Sequence, residues 1–146
     1  MTAILWYNSI IAIMLFVVLL NSIKNLDELR PLSSYRLISN SVKPFVSVLV
    51  PARNEERNIA RCINSLIMQD YENFEIVVLS DNSTDRTEEI LDEFARTDNR
   101  IKVIKGRPLP HGWVGKNFAC HQLSKAAKGE YLFYADADTW HDNSTL

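Results

Sequence analysis

The amino-acid sequence predicts an α/β fold with a mostly parallel sheet, and two observations carry that expectation. After residue 44, β-branched apolar runs alternate three times with segments of helical periodicity and finish on a fourth apolar run. That alternation is the pattern of a sheet wound by right-handed crossovers. The stretches that follow the apolar runs (51–56, 80–85, 105–117 and 136–140) are all polar. In an open α/β sheet these positions form the rim that meets a ligand.

Each element follows in order. Residues 4–23, ILWYNSIIAIMLFVVLLNSI, run without a charge. As a helix rising ~1.5 Å per residue, this stretch is about 30 Å long, the thickness of a bilayer's hydrocarbon core. It lacks the basic leader and small-residue cleavage site of a signal peptide. Its middle is apolar on every side, where a buried core helix usually keeps a polar face. A transmembrane helix over 4–23 is therefore expected. No Lys or Arg precedes it, while Lys24, Arg30, Arg36 and Lys43 follow, which places the remainder in the cytoplasm. Residues 24–44, with mixed charge and two prolines, read as a juxtamembrane linker.

FVSVLVP (45–51) reads as a buried strand closed by proline. In 55–69, Ile59, Ile63, Leu66 and Ile67 recur at helical spacing. FEIVVLS (74–80) is a second strand. Residues 85–96 form a helix with Ile90, Leu91, Phe94 and Ala95 on one face, and IKVIK (101–105) a third strand. In 115–128, Ala119, Leu123, Ala126 and Ala127 face inward. YLFYA (131–135) is a fourth strand, expected to run through the core.

Composition excludes some functions. The net charge is −2 with no basic stripe, so no nucleic-acid partner is expected. Cys62 and Cys120 lie far apart, which suits reduced thiols rather than a disulfide framework or zinc site. The first strand-to-helix turn, Pro51-Ala52-Arg53-Asn54-Glu55, holds no glycine. A dinucleotide fingerprint or phosphate-binding P-loop would require one.

The fourth strand ends in Asp136 and Asp138. In an extended chain these project to the same side, and two adjacent carboxylates repel unless a cation joins them. Mg²⁺ or Mn²⁺ suits such a pair, because either keeps positions open for phosphate oxygens. The alternative is that Asp138 or Asp142 caps a turn. Asp81 could open an Asx-turn or accept a hydrogen bond from a base edge such as the N3–H of uracil. Asp85 and Glu88 match a capping box. Glu55 either caps its own helix or binds a ribose hydroxyl. The window 106–117 holds three of the four glycines and reads as a loop with an exposed Trp113. Arg107 and Lys116 are its cations, and Lys116, at a helix start, is either phosphate-facing or merely solvated. His111, His121 and His141 share no ligand spacing, and Cys120 reads as packing.

With PARNE, SDNSTD, GWVGKNFAC and YADAD in this order, residues 45–142 resemble a family 2 glycosyltransferase of GT-A fold. The segment GWVGKNFAC is similar to membrane-bound members that glycosylate carotenoid or hopanoid lipids. The resemblance implies a Rossmann-like half that binds a nucleotide-sugar donor, usually a UDP-sugar, and a lipid acceptor at the membrane. By position, Asp81 matches the uracil-binding aspartate, and the turn with Pro51 and Glu55 matches the one that packs the nucleoside. Asp136 and Asp138 match the D-x-D pair, the second holding the metal, with Lys116 assisting. Family members continue well past this length, so the catalytic general base is expected beyond Leu146 and no catalytic residue before it. Residues 45–146 are therefore expected to be the truncated, donor-binding part of the domain, inactive alone. A polyprenyl-phosphate sugar transferase shares the same donor half. A non-catalytic, membrane-tethered nucleotide-sugar-binding module is the alternative from another class.

Overall fold

The computed structural model describes residues 2–28 and 43–146, and the chain divides into two units between Ser41 and Val42. The first unit holds one described helix, α1 (Thr2–Glu28). Its stretch Ile4–Leu26 is long and apolar enough to cross a membrane, with mean hydropathy 2.1. Ser9 and Ser22 donate their hydroxyls to the carbonyls of Leu5 and Val18 one turn back, each at 2.9 Å. Such back-bonding satisfies a hydroxyl that an apolar surrounding would leave unpaired. The helix outlasts the expected span of 4–23, so Lys24 is helical rather than part of a linker. Most of the expected linker, 29–42 with Arg30 and Arg36, lies outside the described residues.

The second unit is a four-stranded parallel sheet flanked by three helices. Its elements are β1 (Val46–Ala52), α2 (Ile59–Ile67), β2 (Phe74–Ser80), α3 (Thr87–Thr97), β3 (Ile101–Lys105), α4 (Gly115–Ala126) and β4 (Tyr131–Tyr134). The strand order is β3-β2-β1-β4 with every pairing parallel. The order reverses at β1, which places β1 and β2 at the centre.

Successive side chains on these two strands point to opposite faces, and both faces are covered. Val48, Val50, Ile76 and Val78 pack with Ile59, Cys62, Ile63 and Leu66 of α2 and Leu91 of α3. Leu49, Val77 and Leu79 face the other way, against Ala119 and Leu123 of α4. This double burial explains why the central strands are continuous apolar runs rather than alternating ones. Each fully buried Leu, Ile or Val contributes roughly 1.5–3 kcal/mol. Leu66→Ala or Leu49→Ala would therefore damage one layer each.

Two expectations need correction. β4 does not run through the core. Among the described residues it pairs with β1 alone and stands at the sheet edge, with Tyr131, Leu132 and Tyr134 exposed. Its apolar character therefore does not report burial among the described residues. The capping box of α3 is also absent. Asp85 does accept the N–H and hydroxyl of Thr87, at 3.0 and 2.6 Å, but Glu88 turns away to Ser80 and Lys105.

A buried polar knot fixes how α4 leads into β4. Glu75 and Ser47 sit side by side on β2 and β1, and the Ser47 hydroxyl donates to Glu75 Oε1 at 2.6 Å. That same oxygen accepts the Lys128 N–H at 2.7 Å, while Ser47 Oγ accepts the Gly129 N–H at 2.8 Å. A Cβ on Gly129 would lie 2.8 Å from the Phe45 carbonyl oxygen and from Val46 C, so only glycine permits this approach. The knot sets where β4 begins, and hence where the aspartates beyond it fall.

Candidate functional site

The carboxyl ends of β1, β2 and β4 and the start of α4 enclose a cleft of about 280 Å³. Pro51, Glu55, Asp81, Lys116, Asp136 and Asp138 all line it, so every binding residue singled out in the sequence reaches one place. Sheet geometry accounts for this. Parallel strands end on a common edge, and each following loop opens onto it.

Leu146, the residue beyond which the general base is expected, takes no part in the cleft. Its side chain packs against the core layer of α2 and α3, and its N–H donates to Gln69 Oε1 at 3.0 Å. The Thr145 N–H donates to the same oxygen at 3.1 Å. Leu146 is thus a packing residue, because its apolar side chain is drawn to the hydrophobic layer and away from the polar rim.

Asp136 and Asp138 reach the cleft by a different route from the one expected. β4 stops at Tyr134, and the chain then turns, with the Thr139 N–H and hydroxyl both bonded to the Asp136 carbonyl. The alternation nevertheless persists. Ala135 and Ala137 are buried in the core while Asp136 and Asp138 are exposed. Small residues inside thus hold the two carboxylates outward.

Lys116, in the first turn of α4, donates to Asp136 Oδ1 at 2.6 Å. That hydrogen bond, with the attraction of the same carboxylate, raises the lysine's pKa above its ordinary value. More than half of each side chain is exposed, 64% and 54%, so the pair is screened by water and readily exchanged for another partner. Beneath the aspartates, Cys62 is buried and its thiol lies 3.6 Å from the Asp136 carbonyl oxygen. Burial, reinforced by Asp138, Asp136 and Glu55, pushes its pKa up to about 12. It is a neutral floor to the site rather than a nucleophile.

Asp81 stands at the end of β2 with its N–H bonded to the Ala52 carbonyl at 2.8 Å. Its carboxylate is mostly buried, accepts from Asn82 Nδ2 at 3.1 Å and lies 3.9 Å from Arg53. Gly106 makes room for it, since a Cβ there would meet Asp81 Oδ1 at 2.9 Å. Glu55 meets the start of α2 through its backbone and the cleft through its side chain. Its carbonyl accepts the N–H groups of Asn58 and Ile59 that open α2, and its carboxylate, bonded to Asn58 Nδ2 at 3.0 Å, lines the cleft.

Sequence reasoning missed the bracing between the β1–α2 and β2–α3 loops. Asn54 and Asn82 adopt left-handed backbone, with φ of 55° and 53°, a conformation that Asn tolerates better than most residues. From there Asn54 Oδ1 accepts the Thr84 N–H at 2.8 Å, and the Asn54 N–H donates to Ser83 Oγ. Further along, the Glu55 N–H donates to Thr87 Oγ1 at 2.8 Å and the Glu56 N–H to Asp85 Oδ2 at 3.0 Å. The two loops are zipped together, which holds Glu55 and Asp81 in a fixed relation. The asparagines in both turns were the available signal. Arg53, which also lines the cleft, was likewise passed over.

The cleft thus presents four carboxylates (Glu55, Asp81, Asp136, Asp138) and two cations (Arg53, Lys116). Among the described residues no group of three or more His, Cys, Asp or Glu converges as a metal cage. An exposed pair of carboxylates suits Mg²⁺ or Mn²⁺, which bind through one or two side chains and complete their shell with phosphate and water.

The model of the family described as Glycosyl transferase family 2 matches residues 47–146. The beta-monoglucosyldiacylglycerol synthase of Nostoc sp. (strain PCC 7120 / SAG 25.82 / UTEX 2576) is 38% identical over 111 residues, 75% of this chain and 23% of that protein. TarS of S. aureus, solved in complex with UDP-GlcNAc, superposes with TM-score 0.59 at 34% identity, covering 68% of this chain and 28% of that one. The mannosyltransferase PcManGT of Pyrobaculum calidifontis, in complex with GDP-Man and Mn²⁺, gives TM-score 0.58 at 27% identity, covering 77% and 30%. The chain spans about a quarter of the length of the curated relatives it matches.

Proposed function

This chain belongs to glycosyltransferase family 2, and from that premise we propose that it carries the donor half-site of a membrane-anchored sugar transferase. The donor is a nucleoside-diphosphate sugar, here a UDP-sugar, and the acceptor a lipid of the carotenoid or hopanoid kind. The observation that carries the reading is the meeting of Pro51, Glu55, Asp81, Lys116, Asp136 and Asp138 in one cleft. Supporting it, the similar TarS and PcManGT structures hold UDP-GlcNAc and GDP-Man. The beta-monoglucosyldiacylglycerol synthase relative, the apolar span Ile4–Leu26 and the segment GWVGKNFAC support a lipid acceptor. The span acts as a single-pass anchor in the cell membrane, with the sheet domain on the cytoplasmic side, an orientation that Lys24 and the later cations favour.

The roles follow from position. Asp81, held by its bond to Ala52 and by the room at Gly106, accepts from the uracil N3–H. Pro51 and its turn pack the nucleoside, and Glu55 accepts from a ribose hydroxyl. Asp136 and Asp138 would hold the divalent cation, Asp138 directly. Bound there, the cation supplies Lewis-acid neutralisation of the charge that builds on the departing diphosphate. Lys116 exchanges Asp136 for a phosphate oxygen.

All four carboxylates of the cleft are thereby assigned to the donor and the cation, and none to deprotonating an acceptor. Direct displacement at a sugar carbon requires such a base. The 146-residue chain is accordingly expected to bind donor without transferring sugar.

Titration of the full chain with UDP, with and without Mn²⁺, tests the reading. Binding should strengthen with the metal and lose that gain in Asp138→Ala. Affinity indifferent to both would favour a binding module without metal-assisted chemistry.

A further inference from the structure

A second cavity lies away from the donor cleft, between the end of β3 and the outer face of α4, with a volume of about 320 Å³. Its polar lining is Lys105, Arg107, His121, Gln122 and Lys125, with no acid among the lining residues. Lys105 is partly neutralised by Glu88, at 2.9 Å; Arg107 and Lys125 are exposed.

Gln122 adds an independent observation. Its Oε1 accepts the Arg107 N–H at 2.9 Å, which fixes which end of the amide is oxygen. Among the described residues its Nε2 is then a buried donor without an acceptor, and such a group calls for a partner.

The loop that carries Arg107 completes the picture. Leu109, Trp113 and Val114 are 54%, 42% and 67% exposed, and the Trp113 ring packs at its inner side on Phe118 and His121 of α4. Exposed apolar and indole groups beside cations form the combination that settles at a bilayer interface rich in anionic lipid.

We propose that the β3–α4 cavity is a headgroup site for an anionic phospholipid. The lipid phosphate sits against Arg107, Lys125 and the Gln122 amide, while Leu109, Trp113 and Val114 enter the interface. The inference rests on the membrane reading only for the tether that keeps this domain near a bilayer. It is independent of the donor assignment.

The test uses the full chain in nanodiscs. With Trp6→Phe and Trp140→Phe, Trp113 becomes the sole tryptophan. Its quenching by lipids brominated along the acyl chain should be at least about twofold greater in phosphatidylglycerol-containing discs than in pure phosphatidylcholine discs, and Arg107→Gln/Lys125→Gln should abolish the difference. Hydrogen exchange on the chain with its native tryptophans supplies a second readout, with residues 104–126 protected only in the anionic discs. Equal quenching in both discs, or a difference that survives the double substitution, would overturn the proposal. So would protection of 104–126 reproduced by soluble glycerol phosphate in neutral discs, which would make this a site for free phosphate esters. UDP titration of the same samples reports the donor cleft separately and should be unchanged by Arg107→Gln/Lys125→Gln.

Discussion

Gly106→Ala probes the donor reading through a residue that touches no ligand. The new Cβ would stand 2.9 Å from Asp81 Oδ1, 3.1 Å from Asp81 Cα and 3.2 Å from the Ser80 carbonyl oxygen. Ordinary contact begins at 3.4 Å, so the first distance is about 0.5 Å short. The carboxylate can swing aside, but the other two atoms are backbone. They are tied down by the Asp81 N–H to Ala52 and by the Gly106 N–H to the Ser80 carbonyl, both at 2.8 Å. Overpacking of this kind costs about 1–3 kcal/mol of stability. A hydrogen bond to a charged group contributes about 1.5–3 kcal/mol. Turning Asp81 out of line should forfeit roughly half of that, on the order of tenfold in UDP affinity. Calorimetric titration of the folded variant with UDP and Mn²⁺ measures the loss. A double-mutant cycle with Asp81→Ala should then show strong non-additivity, because both changes remove the same contact. A folded Gly106→Ala that binds UDP within about twofold of wild type would refute the assignment of Asp81 to the base.

Asn54→Ala should destabilise the domain by about 1–2 kcal/mol more than Asn54→Gly, since both lose the Thr84 bonds but only alanine is strained in the left-handed region; denaturant midpoints of the two variants decide it. The Cys62 thiol titrates near 9.0 when exposed and near 12 in the fold. The folded state therefore keeps a proton that the unfolded state releases, and stability, intact below pH 9, should fall as pH rises from 9 toward 12. Cys62→Ala should flatten that decline in denaturant titrations at fixed pH, and an unaltered slope would show the thiol is not responsible. Lys116→Gln should weaken UDP binding several-fold in the presence of Mn²⁺, read by the same titration, whereas a solvated lysine would leave it unchanged. Asp138→Asn should invert its effect with conditions, binding UDP no worse than wild type without metal and distinctly worse with it.

The fold was legible because burial on both faces leaves a strong trace. β2 and β3 lie at the residues expected, and β1 within one residue, since Val48, Val50, Ile76 and Val78 leave no polar face to confuse the period. Helix starts were less legible. α2 begins at Ile59 rather than at Glu55, and Asn54, Glu55 and Glu56 instead tie their backbone N–H groups to Ser83, Thr87 and Asp85 across the loop pair. No local pattern announces a partner so far along the chain. β4 misled for the converse reason. Tyr131, Leu132 and Tyr134 read as core by composition, yet an edge strand can be just as apolar. In the site, the candidate residues singled out by type converge on one cleft, but the glycine behind Asp81 acts through the space its missing Cβ leaves, and Asn54 zips the loops through a left-handed turn and side-chain bonds to a residue far along the chain.

The charge of the cleft sets a condition on the proposed anionic donor. Four carboxylates face two cations, a formal balance of −2 before any ligand enters. A nucleoside diphosphate would add about three more negative charges, so the bare site would repel the proposed donor. In water two unit charges 4 Å apart repel by only about 1 kcal/mol. At partly enclosed positions such as Asp81 the figure rises several-fold, enough to suppress binding at working concentrations. On the proposed reading, one divalent cation held by Asp136 and Asp138 would reverse the local sign at the diphosphate and would leave Glu55 and Asp81 free to select the nucleoside. Lys116 fits the same logic. Its ammonium sits against the Asp136 carboxylate in an exposed pair, and on the proposed reading it would change partners when a phosphate arrives. Asparagine at 138 would remove one repelling charge and one cation ligand together, which is why its effect should change sign with the metal.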